Sequence, residues 1–214
     1  MYDAILFDFD DTLVDTKASK ILAIIDYCCA VHGVEVSAQQ ISACWGIPFR
    51  RMMSELTGSA EIHTERYLEI SEGYALVPFP ESHATLCALA QRLPIGIVTS
   101  LARPVLLHSL TALGWHQQLF SVLVAEDDVL AHKPDLRVFE PALQTLRITD
   151  DRRHRVVYLG DSLSDGKAAL AAGLHFVGIA RDTDAERLFD AEGWQYCSSL
   201  EEITRSVMQG PSLK

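Results

Sequence analysis

Apolar residues along this chain follow two alternating rhythms, short runs of strand length and longer stretches with apolar positions three and four apart. Tyr2 to Phe7 is a short apolar run that stops at carboxylates, the pattern of a buried parallel strand whose C-terminal end carries polar function. Comparable runs recur at Ile95–Val98, Val122–Val124, Val156–Leu159 and Phe176–Ile179. Between them lie helical patterns: Leu86, Leu89, Ala90 and Leu93; then Leu106, Leu110 and Leu113 closed by Gly114; then Ala168–Ala172 closed by Gly173. Strand alternating with helix predicts an α/β fold built on a doubly wound parallel sheet.

The first crossover breaks the rhythm, because no further strand pattern follows Phe9 until Ile95. Helical spacing fills the gap. Ile21, Ile24, Ile25 and Cys28 share a face up to Gly33, and Ser37 with Gln40 forms a capping box for a short helix ending at Trp45 and Gly46. Pro48 opens a helix carrying Phe49, Met52, Met53 and Leu56, and another helix is expected from Ala60 to Tyr74. The prolines of Val77–Pro80 read as the return hinge. The expected organisation is therefore an α-helical domain over residues 16–80, inserted into a core made of residues 1–15 and 81–214. Pro141 interrupts the pattern from Leu136 to Leu146 and predicts a kinked or restarted helix.

The 214 residues are 49% hydrophobic and 22% charged, a globular balance. No stretch has the uninterrupted apolar length of a membrane helix, and Tyr2 leads into the first strand pattern with no basic region ahead of it. A soluble cytoplasmic protein is the expectation. The five cysteines lack metal-ligand spacing and read as reduced core thiols. A formal charge of −11 argues against nucleic-acid and anionic-membrane partners, so an anionic substrate must be drawn in by local charge.

Four polar stations follow four of the strand patterns: Asp8 and Asp10; Thr99 and Ser100; Lys133; and Asp161 with Asp165. Strand ends on one edge of an open parallel sheet converge where ligands bind, so these stations predict a single site. Carboxylates packed so closely require a cation, and Mg²⁺, held by one or two carboxylates with phosphate and water, suits them. With Lys133 and the hydroxyls as further phosphate partners, phosphoryl transfer is the chemistry expected.

DFDDTL at Asp8–Leu13, VTS at Val98–Ser100, HKPD at His132–Asp135 and GDSLSD at Gly160–Asp165 resemble, in order and spacing, the four motifs of the haloacid dehalogenase superfamily. The helical insertion resembles the cap of the subgroup containing phosphoglycolate phosphatase and beta-phosphoglucomutase. The resemblance implies a Rossmann-like core and an enzyme releasing phosphate from a small phosphorylated metabolite, phosphoglycolate-like or a sugar phosphate. It implies that Asp8 is the nucleophile and that Asp10 is the acid and then the base. Asp8, Asp161 and the backbone carbonyl of Asp10 would hold Mg²⁺, with Asp165 supporting the metal's waters. Lys133 would orient Asp8 and the phosphate, and Ser100 ahead of Thr99 would grip a phosphate oxygen. One departure is Asp11, where many relatives carry Gly; Asp also tolerates unusual backbone angles, so the turn survives.

Thr99 and Ser100 also suit the cap of a helix begun near Pro104, Glu126–Asp128 and Glu201–Glu202 read as solvated faces and helix starts, and the eight histidines show no ligand spacing, His132 being the one to watch. Thr16 and Lys20 stand one turn apart, which places Lys20 at the cleft as a holder of a second anionic group, with Arg50 and Arg51 more suited to the solvent face. A dehalogenase is disfavoured by the acid at Asp10, and a mutase by Lys20 where beta-phosphoglucomutases carry histidine. Pyrophosphatase or nucleotidase activity and a non-enzymatic binding module are the remaining alternatives.

Overall fold

Each apolar run that ends in polar residues became a strand of one parallel sheet in the computed structural model, which describes residues 2–209. In chain order the elements begin with strands β1 (Ala4–Phe7) and β2 (Val14–Asp15), then helices α1 (Lys17–His32), α2 (Ala38–Ala43), α3 (Phe49–Thr57) and α4 (Thr64–Ser71). They continue with β3 (Val77–Pro78), α5 (Ser82–Ala90), β4 (Ile95–Val98), α6 (Arg103–Ala112), β5 (Val122–Val124) and α7 (Glu140–Thr145). The last are β6 (Val156–Gly160), α8 (Leu163–Ala171), β7 (His175–Ile179), α9 (Thr183–Glu192), β8 (Tyr196–Cys197) and α10 (Leu200–Gln209).

The main sheet has the order β5-β4-β1-β6-β7-β8 with every pairing parallel. β1 lies at its centre, and all four of its residues are fully buried, as its unbroken apolar run requires. Its alternate residues serve two cores: Ile5 and Phe7 face one side, and Ala4 and Leu6 the other. The sixth strand, β8, is too short to announce itself in a sequence pattern.

The helical insertion grows from the first crossover. Val77–Pro78, expected to be a simple hinge, pairs antiparallel with Val14–Asp15, so the two connections to the insertion form a small ribbon. Ile24, Tyr27, Ile41, Phe49 and Met53 join the core face that carries Ile5 and Phe7. α1 ends where Gly33 takes φ 66°, and α2 has its capping box from Ser37 and Gln40. α4 is shorter than the span expected from Ala60 to Tyr74. Ser59 accepts from the Glu61 amide and donates to the Glu61 carbonyl, and the His63 amide donates to the Tyr27 hydroxyl, so those residues form a turn instead. Pro141 sits in the first turn of α7, after a 3-10 turn at Leu136–Phe139, where its missing N–H leaves no gap. All five cysteines are free, but Cys29 is exposed, contrary to its reading as a core thiol. Residue 1 and residues 210–214, the outer ends of the expected core spans, lie outside the described residues. Among the described residues, no helix is long and apolar enough to cross a membrane.

Candidate active site

The register of the sheet gathers the polar stations. Phe7 lies opposite Ile97 and Leu159, so Asp8, Thr99 and Asp161 emerge together beyond the C-terminal edge of β1, β4 and β6. Asp8, Asp10, Lys20, Thr99, Ser100, Lys133, Asp161 and Asp165 all line one cavity of about 90 Å³. His132, Arg50 and Arg51 do not. The Arg50 guanidinium pairs with Asp127 and that of Arg51 with Glu55.

Lys133 is the electrostatic centre of the core side. Its Nζ donates to Asp8 Oδ1 at 2.8 Å and to Asp165 Oδ1 at 2.7 Å, and all three residues are buried. Burial works against the ammonium charge, but Asp165 and Asp8 outweigh it and hold the Lys133 pKa above its ordinary value. Both oxygens of Asp165 are occupied. Oδ1 lies 3.0 Å from the Tyr158 hydroxyl, and Oδ2 accepts from the Ser162 amide at 3.1 Å and the Ser162 hydroxyl at 2.5 Å. Ser162 in turn caps α8, which fixes the helix that delivers Asp165. Only glycine fits at Gly160, because a Cβ there would sit 2.5 Å from the Asp165 carboxyl carbon.

Two other carboxylates lack such compensation. Burial pushes Asp8 up to about 7 despite Lys133, with Asp165 and Asp10 adding to the rise. Burial also holds Asp161 well above the ordinary carboxylate range, reinforced by Asp165 and Asp8. Its side chain accepts from the Thr12 hydroxyl at 3.3 Å, a long contact for a half-buried acid. Asp8, Asp161 and Asp165 each offer an oxygen within 4.8 Å of the others. An all-oxygen, electron-rich donor set of this kind fits a hard divalent cation.

On the opposite wall Lys20 is 7% exposed and its Nζ lies 2.5 Å from Asp10 Oδ1, over the Phe9 ring. There its ammonium is paired with the Asp10 carboxylate. Thr99 and Ser100 do not cap α6, whose N-cap is Ala102. Thr99 Oγ1 accepts from the Leu101 amide at 3.3 Å, and Ser100 Oγ donates to the Gly46 carbonyl at 3.3 Å.

The insertion reaches the core through a short set of polar bonds that sequence reasoning missed. Asp11 adopts φ 54°, the left-handed conformation that glycine takes most readily. Its Oδ1 accepts from the Thr16 and Lys17 amides at 3.2 and 3.1 Å, and its Oδ2 from Trp45 Nε1 at 3.0 Å. The extra charge is thus absorbed by helix and indole donors. The Phe49 amide donates to the Ser100 carbonyl at 3.0 Å. Glu126 is not solvated as expected; it is 8% exposed, and both of its oxygens lie 3.1 Å from the Arg50 amide at the start of α3. Asp127 accepts from the Arg103 amide, and Asp128 pairs with the Arg103 side chain. Trp45, Tyr67 and Tyr158 were also unmarked. For Tyr158 the available signal was a phenol in the middle of an apolar strand, since a buried hydroxyl requires a partner.

A sequence model of the family described as haloacid dehalogenase-like hydrolase matches residues 5–179. A phosphoglycolate phosphatase of Photorhabdus laumondii is 31% identical over 192 residues, covering 82% of this chain and 79% of that protein. Validoxylamine A 7'-phosphate phosphatase of Streptomyces hygroscopicus subsp. limoneus is 29% identical over 202 residues, covering 90% of this chain and 92% of that one. In fold, the chain is similar to CbbY of Rhodobacter sphaeroides, whose crystal structure holds phosphate; the TM-score is 0.78 at 21% identity, covering 95% and 96% of the two chains.

Proposed function

The chain belongs to the haloacid dehalogenase-like hydrolase family, and from that premise we propose that it is a Mg²⁺-dependent phosphatase acting on a small phosphate monoester, phosphoglycolate-like or a sugar phosphate. The observation that carries this reading is Asp8, held by Lys133 at the end of the central strand, with Asp10 and Asp161 in the same cavity. Asp8 and Asp161, with the Asp10 carbonyl, are the proposed holders of Mg²⁺. Asp165, whose two oxygens are already taken by protein donors, stands behind them. Bound there, the ion would neutralise charge on the phosphoryl oxygens.

The chain's own residues account for two half-reactions. An Asp8 oxygen attacks phosphorus, the bond from phosphorus to the ester oxygen breaks, and Asp10 gives that oxygen its proton, releasing an alcohol. Water then attacks the aspartyl phosphate while Asp10 takes its proton, and the bond to Asp8 breaks, releasing phosphate. Lys133 keeps Asp8 oriented throughout, and Ser100 with Thr99 donates to phosphate oxygens once Ser100 leaves Gly46. Residues 16–80 are read as a cap that excludes water from residues 1–15 and 81–214. The relatives named as phosphatases support the reaction class.

Rapid-quench labelling tests the reading. With Mg²⁺ and an aryl phosphate the protein should accumulate hydroxylamine-sensitive phosphate on Asp8, and Asp10→Asn should accumulate more, because the aryl oxide leaves unaided while hydrolysis lacks its base. Undiminished turnover in Asp8→Asn, or turnover without Mg²⁺, would refute it.

A further inference from the structure

The cavity that holds the reacting groups is small, at about 90 Å³, whereas a second of about 310 Å³ lies between α1, α4 and α6. Lys20 and Tyr67 line both, so these two side chains form the partition. A second cavity therefore adjoins the site behind Asp10's own ion-pair partner.

The walls of the second cavity hold buried groups that lack protein partners. Tyr67 and Ser109 are 2% and 3% exposed, and neither hydroxyl has a protein hydrogen-bond partner among the described residues. Neither oxygen is among the fully buried unpaired ones, so both stay open to water or a ligand within the cavity. His108 on the same wall also has no side-chain partner, and Glu72 contributes a carboxylate. Among the described residues, the lysines and arginines lining either cavity are Lys20 and Lys133 alone. Lys20 is committed to Asp10, and Lys133 to Asp8 and Asp165. An alcohol bearing a second anion would compete with Asp10 for one lysine and leave a carboxylate buried without a cation. An uncharged polyol brings both donors and acceptors, which is what free hydroxyls and an imidazole can use.

We propose that this second cavity seats the leaving alcohol and that the alcohol is an uncharged polyol, a sugar or cyclitol, selected over one carrying a second anionic group. The proposal rests on the phosphatase reading and narrows its substrate class. Lys20 and Tyr67 form a gate at which the ester oxygen meets Asp10.

The test compares phosphate release by the full chain with Mg²⁺ from acetyl phosphate, an inositol monophosphate and phosphoglycolate. The expected kcat/KM for the inositol ester exceeds that for phosphoglycolate about ten-fold or more. Ser109→Leu, which fills the cavity, should lower the ratio of inositol ester to acetyl phosphate by about ten-fold, and Ser109→Ala should lower it by about three-fold. Should the leucine variant fail to fold by circular dichroism, Tyr67→Phe combined with Ser109→Ala reads the same ratio. Preference for phosphoglycolate, or an unchanged ratio in a folded cavity variant, overturns the proposal while leaving the phosphatase reading intact. Release from none of the three phosphates, the acyl phosphate included, removes the phosphatase reading and the proposal with it.

Discussion

The two ends of the site are built differently. At the core end, Lys133 binds two carboxylates, and Asp165 engages Lys133, Tyr158 and Ser162 at once. Toward the insertion, the hydroxyls of Tyr67 and, across the cavity on α6 of the core, Ser109 have no protein partners among the described residues, and residues 45–50 touch the core through a few bonds to Asp11, Ser100 and Glu126. Dense pairing fixes the reacting groups before substrate arrives, which is where preorganisation helps catalysis most. Sparse pairing leaves groups that a ligand could complete and, on the proposed cap reading, contacts that would break if the insertion moved. On the proposed function, the chemistry is rigidly held and recognition falls to surfaces that can part.

The largest expected effect separates the two ends outright. Asp8→Asn should lower kcat about 10⁴-fold or more, because the proposed nucleophile is lost. The metal-free variant should nevertheless melt no lower than the parent in calorimetry, since it removes one of several crowded acids. Next is Lys133→Met, which leaves Asp8 and Asp165 buried without their cation and should cost about 3–5 kcal/mol in urea unfolding. Lys20→Met should cost less, because the Asp10 side chain it pairs with is 20% exposed. A loss as large at Lys20 as at Lys133 would erase the contrast.

A pH series sharpens it further. The Asp8 carboxyl rises from 3.8 when unperturbed to about 7 in the metal-free fold. Between those values the unfolded chain has released a proton that the folded chain keeps, so stability falls as pH rises through that window and levels off above it. Mg²⁺ at the proposed site on Asp8 and Asp161 would offset the repulsion. Its addition should therefore raise the melting temperature by about 5 °C more near pH 8 than near pH 5. An equal gain at both would show that the core end is not charge-strained.

The smallest effect belongs to the insertion. Trp45→Phe removes the indole bond to Asp11 and should cost about 1 kcal/mol of stability. In stopped-flow fluorescence of the remaining tryptophans, substrate-induced change should be faster in this variant than in the parent. An unchanged rate would mean that the Asp11 bond does not restrain the loop.

Much of the core end was legible along the chain. Apolar runs ending at Asp8, Thr99 and Asp161 required buried strands with polar ends, and parallel pairing then brought those ends to one edge. Glycine, proline and capping signals placed the ends of α1, α2 and α7, because those residues act through their own backbone geometry. The sequence by itself therefore determined the sheet, the insertion and the identities of the acids, lysine and hydroxyls beside Asp8. Tertiary structure alone decided whom those side chains meet. Lys20 turned to Asp10, Glu126 to an amide of α3, and Asp11 to Trp45, while Tyr67 and Ser109 were left facing a cavity. Local pattern carries backbone propensity and burial, both of which depend on near neighbours; charge pairing and free volume depend on distances between residues far apart in sequence, and only the packed chain sets those.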